Sequence, residues 1–91
     1  MFSEIHCFVK GKVQQVGYRD SIDRHARELG LFGWVKNLEN GDVEILIQGT
    51  PDELKESLGV FNCGPSLARV EAISVDWRTP ERLFDEFKVL V

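Results

Sequence analysis

Gly11-Lys12-Val13-Gln14-Gln15-Val16-Gly17-Tyr18-Arg19-Asp20 is the stretch on which the fold turns. It follows an alternating, strand-like run and opens a helix-like one, so it reads as a strand-to-helix junction. A helix N-terminus presents backbone N–H groups without helical acceptors, at the positive end of the helix dipole. Two glycines let that backbone approach a ligand closely, which makes the loop a ready anion site. Arg19 is out of place there, because a cation in the first turn opposes the dipole. A phosphate or carboxylate held between Arg19 and the loop amides resolves the conflict. A solvated arginine in an ordinary connecting loop is the other reading, and this stretch alone leaves both open.

Upstream, Ile5, Cys7 and Val9 alternate with Glu4, His6 and Lys10, the pattern of a half-buried first strand. Phe8 interrupts the polar side, so that face is expected to be covered in part. His6 on the polar face reads as a surface residue. Downstream, Ile22, Ala26 and Leu29 share one face of a helix over about 20–29, opposite Asp23, Arg24, Arg27 and Glu28. Gly30 suits its C-terminal cap. His25 reads as structural, with no partner visible in the sequence.

Strands follow at 33–37 and 42–48, joined through Asn40-Gly41, a strong hairpin signal in which both residues accept positive φ. Asn37 ends the incoming strand, where its plain reading is a turn-forming asparagine bonded to nearby backbone. Thr50 as N-cap, Pro51 at N1 and Glu53 at N3 form a capping box for a second helix ending near Asn62. A fourth strand spans 68–77, with Val70, Ala72 and Ser74 on one face and Ile73, Val75 and Trp77 on the other. Phe84, Phe87, Val89 and Val91 suggest a short terminal strand.

The order βαββαβ plus a terminal strand predicts an α+β, ferredoxin-like α/β sandwich, an antiparallel sheet with two helices on one face. Right-handed crossovers put the first and third strands side by side in the middle. That arrangement brings Asn37 toward the loop before Arg19. The 91 residues are expected to form one domain over 1–91. Eleven basic and fifteen acidic residues give a net charge of −4, which argues against a nucleic-acid footprint. Anion recognition must then be local. No apolar run approaches the ~20 residues of a membrane span, and the N-terminus carries no signal-peptide pattern. A cytoplasmic, monomeric protein with no membrane partner is expected. Cys7 and Cys63 have no metal-ligand spacing and read as reduced thiols, Cys7 in the core.

Four stretches, in order, resemble the acylphosphatase family across nearly the whole chain. The segment from Gly11 to Arg19 is similar to the family loop G-x-V-Q-G-V-x-F-R, and Gly33-Trp34-Val35-Lys36-Asn37 to G-W-V-x-N. Asn40-Gly41-Asp42-Val43-Glu44 resembles the hairpin D-G-x-V-E, and Gly64-Pro65-Ser66-Leu67-Ala68-Arg69-Val70 the segment G-P-P-x-A-x-V. The resemblance implies hydrolysis of acyl phosphates to a carboxylate and inorganic phosphate, with no metal and no organic cofactor. It implies that Arg19 binds the phosphoryl group and that backbone N–H groups of Gln14, Gln15, Val16, Gly17 and Tyr18 complete the cradle, which would hold inorganic phosphate or a similar anion as well. It implies that Asn37 holds the attacking water, and that the substrate's own phosphate takes the proton. Two positions depart from the family loop. Tyr18 stands where phenylalanine is usual, and Gln15 where the family has glycine. If that position needs positive φ, a side chain there costs on the order of 1–2 kcal/mol. The alternative expectation is therefore an anion-binding module of the same fold, catalytically impaired by Gln15.

Overall fold

The structure is a computed structural model that describes residues 2–90, arranged as β1 (Ser3–Lys12), α1 (Tyr18–Leu29), β2 (Phe32–Asn37), β3 (Val43–Gly49), α2 (Pro51–Cys63), β4 (Arg69–Arg78) and β5 (Phe87–Leu90). Val91, assigned to the terminal strand by its sequence, lies outside the described residues. The five strands form one sheet in the order β4-β1-β3-β2-β5, with β1 and β3 central as the crossover rule requires. Neighbours are antiparallel except β5, which joins β2 in parallel.

Both helices cover one face. Ile5, Cys7 and Val9 of β1 and Val43, Ile45 and Ile47 of β3 are buried in one core with Ile22 and Ala26 of α1 and Leu54 and Phe61 of α2. The period of two along each strand meets the 3.6-residue period of the helices there. Capping closes the helices as expected. Thr50 Oγ1 accepts from Glu53 N and Glu53 Oε1 accepts from Thr50 N, the reciprocal box. Leu31 N donates to Ala26 O at 2.8 Å beyond the Gly30 cap of α1. His25 does have a partner: its Nε2 lies 2.7 Å from Ser57 Oγ, pinning α1 to α2. Ser57 donates its one hydroxyl proton to Glu53 O, so the imidazole must be the donor in that pair.

On the opposite face, the segment 79–86 runs beneath the sheet from β4 to β5. Gln48 is fully buried there: its amide donates to Glu4 Oε1 and Arg82 O and accepts from Phe84 N. Besides the parallel β5 and the partner of His25, three details differ from the sequence reading. Helix α1 begins at Tyr18, two residues before the expected start, because the first turn is built from loop residues without an apolar period. Strand β4 carries a bulge opposite Lys10/Gly11, which turns Val70 to the core beside Ile73 instead of leaving it with Ala72. The β2–β3 turn is closed by a backbone bond around Glu39, Asn40 and Gly41, and β3 begins at Val43, one residue later than expected. Leu38 N donates to Asp42 O, and Gly41 alone takes positive φ, at 96°.

Candidate functional site

Helix α1 opens without a side-chain cap. Gly17 holds the N-cap position at φ 79°, and the first helical bond runs from Ser21 N to Gly17 O. The N–H groups ahead of Ser21 therefore have no helical acceptor. Gln15 also takes positive φ, 62°, and is the only non-glycine among the described residues to do so. The condition under which its side chain strains the loop is thus met. That side chain is exposed and makes no hydrogen bond among the described residues.

Val13, Gln15, Gly17, Tyr18, Arg19, Asp20 and Asn37 line a cavity of about 130 Å³ over this helix end. Drug-sized ligands fill roughly 300–1,000 Å³, whereas this space equals the liquid volume of about four waters. It suits a tetrahedral oxyanion, with the remainder of a larger ligand lying outside it. Of the residues assigned to the site by sequence, Gln15, Gly17, Tyr18, Arg19 and Asn37 are brought together here. Gln14 and Val16 do not line the cavity; the Gln14 side chain is turned to the β2–β3 hairpin.

Arg19 is half-buried, and its Nη1 donates to Leu90 O of β5 at 2.8 Å. A backbone carbonyl therefore supplies part of the negative partner that a cation at this helix end requires. Among the described residues one of its five guanidinium N–H groups is used, and the bond aligns the fork. Asn37 stands at the end of β2. Its Oδ1 is buried and has no hydrogen-bond partner among the described residues. An unsatisfied buried acceptor costs about 1–3 kcal/mol, so it persists where something else supplies the donor. The turn-forming asparagine of this hairpin is Asn40, whose Oδ1 accepts from Asp42 N. Asn40, and not Asn37, therefore makes the turn.

Tyr18 is buried, and its hydroxyl donates to Phe61 O at 2.6 Å. The extra oxygen relative to phenylalanine is satisfied, and burial, with nearby Cys7 adding to it, raises its pKa. Tyr18 is a wall of the site and no acid or base at neutral pH. The Leu90 carbonyl and the Val13 and Asp20 lining were missed from sequence. A backbone carbonyl from a distant strand leaves no sequence signal. Asp20 reads equally well as a first-turn acid that complements the helix dipole.

A family model described as Acylphosphatase matches residues 5–89. The chain belongs to the acylphosphatase family. An acylphosphatase of Thermococcus kodakarensis is 46% identical over 85 residues, covering 93% of this chain and 92% of its own. The crystal structure of acylphosphatase from Bacillus subtilis superposes with a TM-score of 0.94 at 30% identity, covering 98% of this chain and 99% of that one. An acylphosphatase structure from Coxiella burnetii gives 0.91 at 37% identity, covering 98% and 93%. The resemblance drawn from four motifs thus extends over nearly the whole chain as an acylphosphatase fold.

Proposed function

We propose that this acylphosphatase hydrolyses acyl phosphates with the phosphoryl group held by Arg19 and the α1 N-terminal amides, and the attacking water held by Asn37. The buried, unpartnered Asn37 Oδ1 at the cavity that Arg19 lines is the observation that carries this assignment. An acceptor in that position orients a water by accepting a hydrogen bond from one of its O–H groups, leaving a lone pair to face phosphorus. The water oxygen bonds to phosphorus, the acyl C–O–P bridge breaks on the phosphorus side, and the carboxylate leaves. The proton released by the water passes to a phosphoryl oxygen.

Phosphoryl transfer asks a protein chiefly for positioning and for stabilisation of charge on the equatorial oxygens. A guanidinium fork with preorganised amides offers both. A carboxylate is a good leaving group, so neither a general acid nor a metal is assigned a role. A small-molecule substrate, a monomeric state and a cytoplasmic setting complete the proposal. Among the described residues no helix is long and apolar enough to cross a membrane.

The reading of the loop as an impaired binder rests on the positive φ of Gln15. That strain burdens folding, whereas Arg19 and Asn37 both remain at the cavity, and family membership favours turnover. Steady-state hydrolysis of benzoyl phosphate in the presence of EDTA tests the proposal. Activity lost in Arg19→Ala, with label from ¹⁸O-water entering phosphate and not benzoate, is expected. Label in benzoate, or an Arg19→Ala variant as active as wild type, overturns it.

A further inference from the structure

Gln14 follows the buried Val13 and precedes the strained Gln15, yet its side chain leaves the cradle. Its Nε2 donates to Leu38 O and to Asp42 O, both at 2.8 Å. Both acceptors are backbone carbonyls, so the amide orientation is settled by chemistry: only the NH₂ end can face two oxygens. Leu38 is the residue after Asn37, and Asp42 is the residue before Val43, the cross-strand partner of Asn37. The same two carbonyls already accept from Gly41 N and Leu38 N inside the turn. The two N–H groups of one amide therefore bind the phosphate loop to both sides of the strand pair that carries Asn37.

We propose that Gln14 is a positioning residue, a clamp that sets the distance between the phosphate cradle and Asn37 through the β2–β3 hairpin. The inference rests on the catalytic assignment of Asn37 above. The two groups that must hold water and phosphorus in line belong to different elements, and a misplacement of ~1 Å costs on the order of 100-fold in rate. A side chain fixed at the hairpin by two hydrogen bonds removes that freedom. It touches no reacting atom. Glutamate at this position would keep the length but turn acceptor oxygens toward the two carbonyls, whereas leucine would leave those carbonyls without these donors.

Kinetics of Gln14→Glu, Gln14→Leu, Asn37→Ala and the double variant Gln14→Leu/Asn37→Ala, with inhibition by inorganic phosphate and thermal melts, test the clamp. The expected result is a kcat about tenfold or more below wild type in both Gln14 variants, with the phosphate inhibition constant within about threefold, since the cradle amides and Arg19 remain. In the double variant kcat should equal that of Asn37→Ala, because the clamp acts only through Asn37. A Gln14 variant that melts lower but keeps wild-type kcat as a folded protein overturns the proposal, as does a loss confined to phosphate binding. Additive losses in the double variant do so too. Wild-type kcat in Asn37→Ala would instead remove the catalytic assignment of Asn37, and the clamp with it, whatever the Gln14 variants do.

Discussion

Arg19 can be anchored by Leu90 O and still offer a fork to an oxyanion because guanidinium donors lie in a plane. Lysine has no such plane and loses either the anchor or the ligand. Arg19→Lys should lower kcat/KM for benzoyl phosphate by roughly 100-fold or more. A drop of less than tenfold would mean that charge alone suffices. At Gln15 the expectation is opposite in sign. Its φ of 62° is one that glycine adopts without strain, so Gln15→Gly should stabilise the fold by about 0.5–1 kcal/mol after the added chain entropy is counted. A rise of about 4 °C in Tm would register it. Single residues were the least legible level of this sequence. Arg19 stood out because its charge opposed the helix end, but Asn37 by its residues alone read first as a turn asparagine. The bond from Asp42 N to Asn40 and the unpartnered Asn37 Oδ1 both weigh against the turn role. The carbonyl of Leu90 had no signal at all.

Elements were legible where side-chain periodicity and cap chemistry agree, and blurred where backbone chemistry decides. The α2 start at Thr50-Pro51-Asp52-Glu53 is formed as read, with every partner of the box in place. Thr50→Ala should cost about 1 kcal/mol of stability, visible in the urea midpoint. The bulge in β4 was not foreseen, because its cause is a close approach of two backbones. A Cβ on Gly11 would lie 2.0 Å from Arg69 O. Gly11→Ala should therefore destabilise the protein by about 3 kcal/mol through displacement of β4, measurable in the same titration. An unchanged midpoint would show that β4 yields freely. Helix α1 started early for a related reason: its first turn answers to Gly17 and the cradle, not to an apolar stripe.

The whole molecule is a sheet whose helix-covered face holds the core and whose strand order gathers the site at one end. That topology was legible because βαββαβ with right-handed crossovers leaves few alternatives. The strap at 79–86 was not, since it is held by the buried amide of Gln48 and has no period of its own. Burial also gives the molecule an alkaline limit. It pushes the Cys7 thiol from its ordinary 9.0 up to about 12, and raises Tyr18 as well. The folded state holds these protons more tightly than the unfolded chain does. Stability should be level below about pH 9 and fall as pH rises toward 12, by on the order of 1 kcal/mol per pH unit from Cys7. Urea midpoints taken across that range check the slope. Under native conditions a thiol reagent should modify Cys63, which is exposed, and spare Cys7.

The most direct measurement is kcat for benzoyl phosphate and the phosphate inhibition constant, taken together on wild type and Asn37→Ala. If Arg19 and the loop hold the phosphoryl group while Asn37 holds the water, kcat should fall by about 100-fold or more with phosphate binding within about threefold of wild type. An Asn37→Ala enzyme that turns over like wild type, or one that loses phosphate binding along with its activity, would contradict that division of labour.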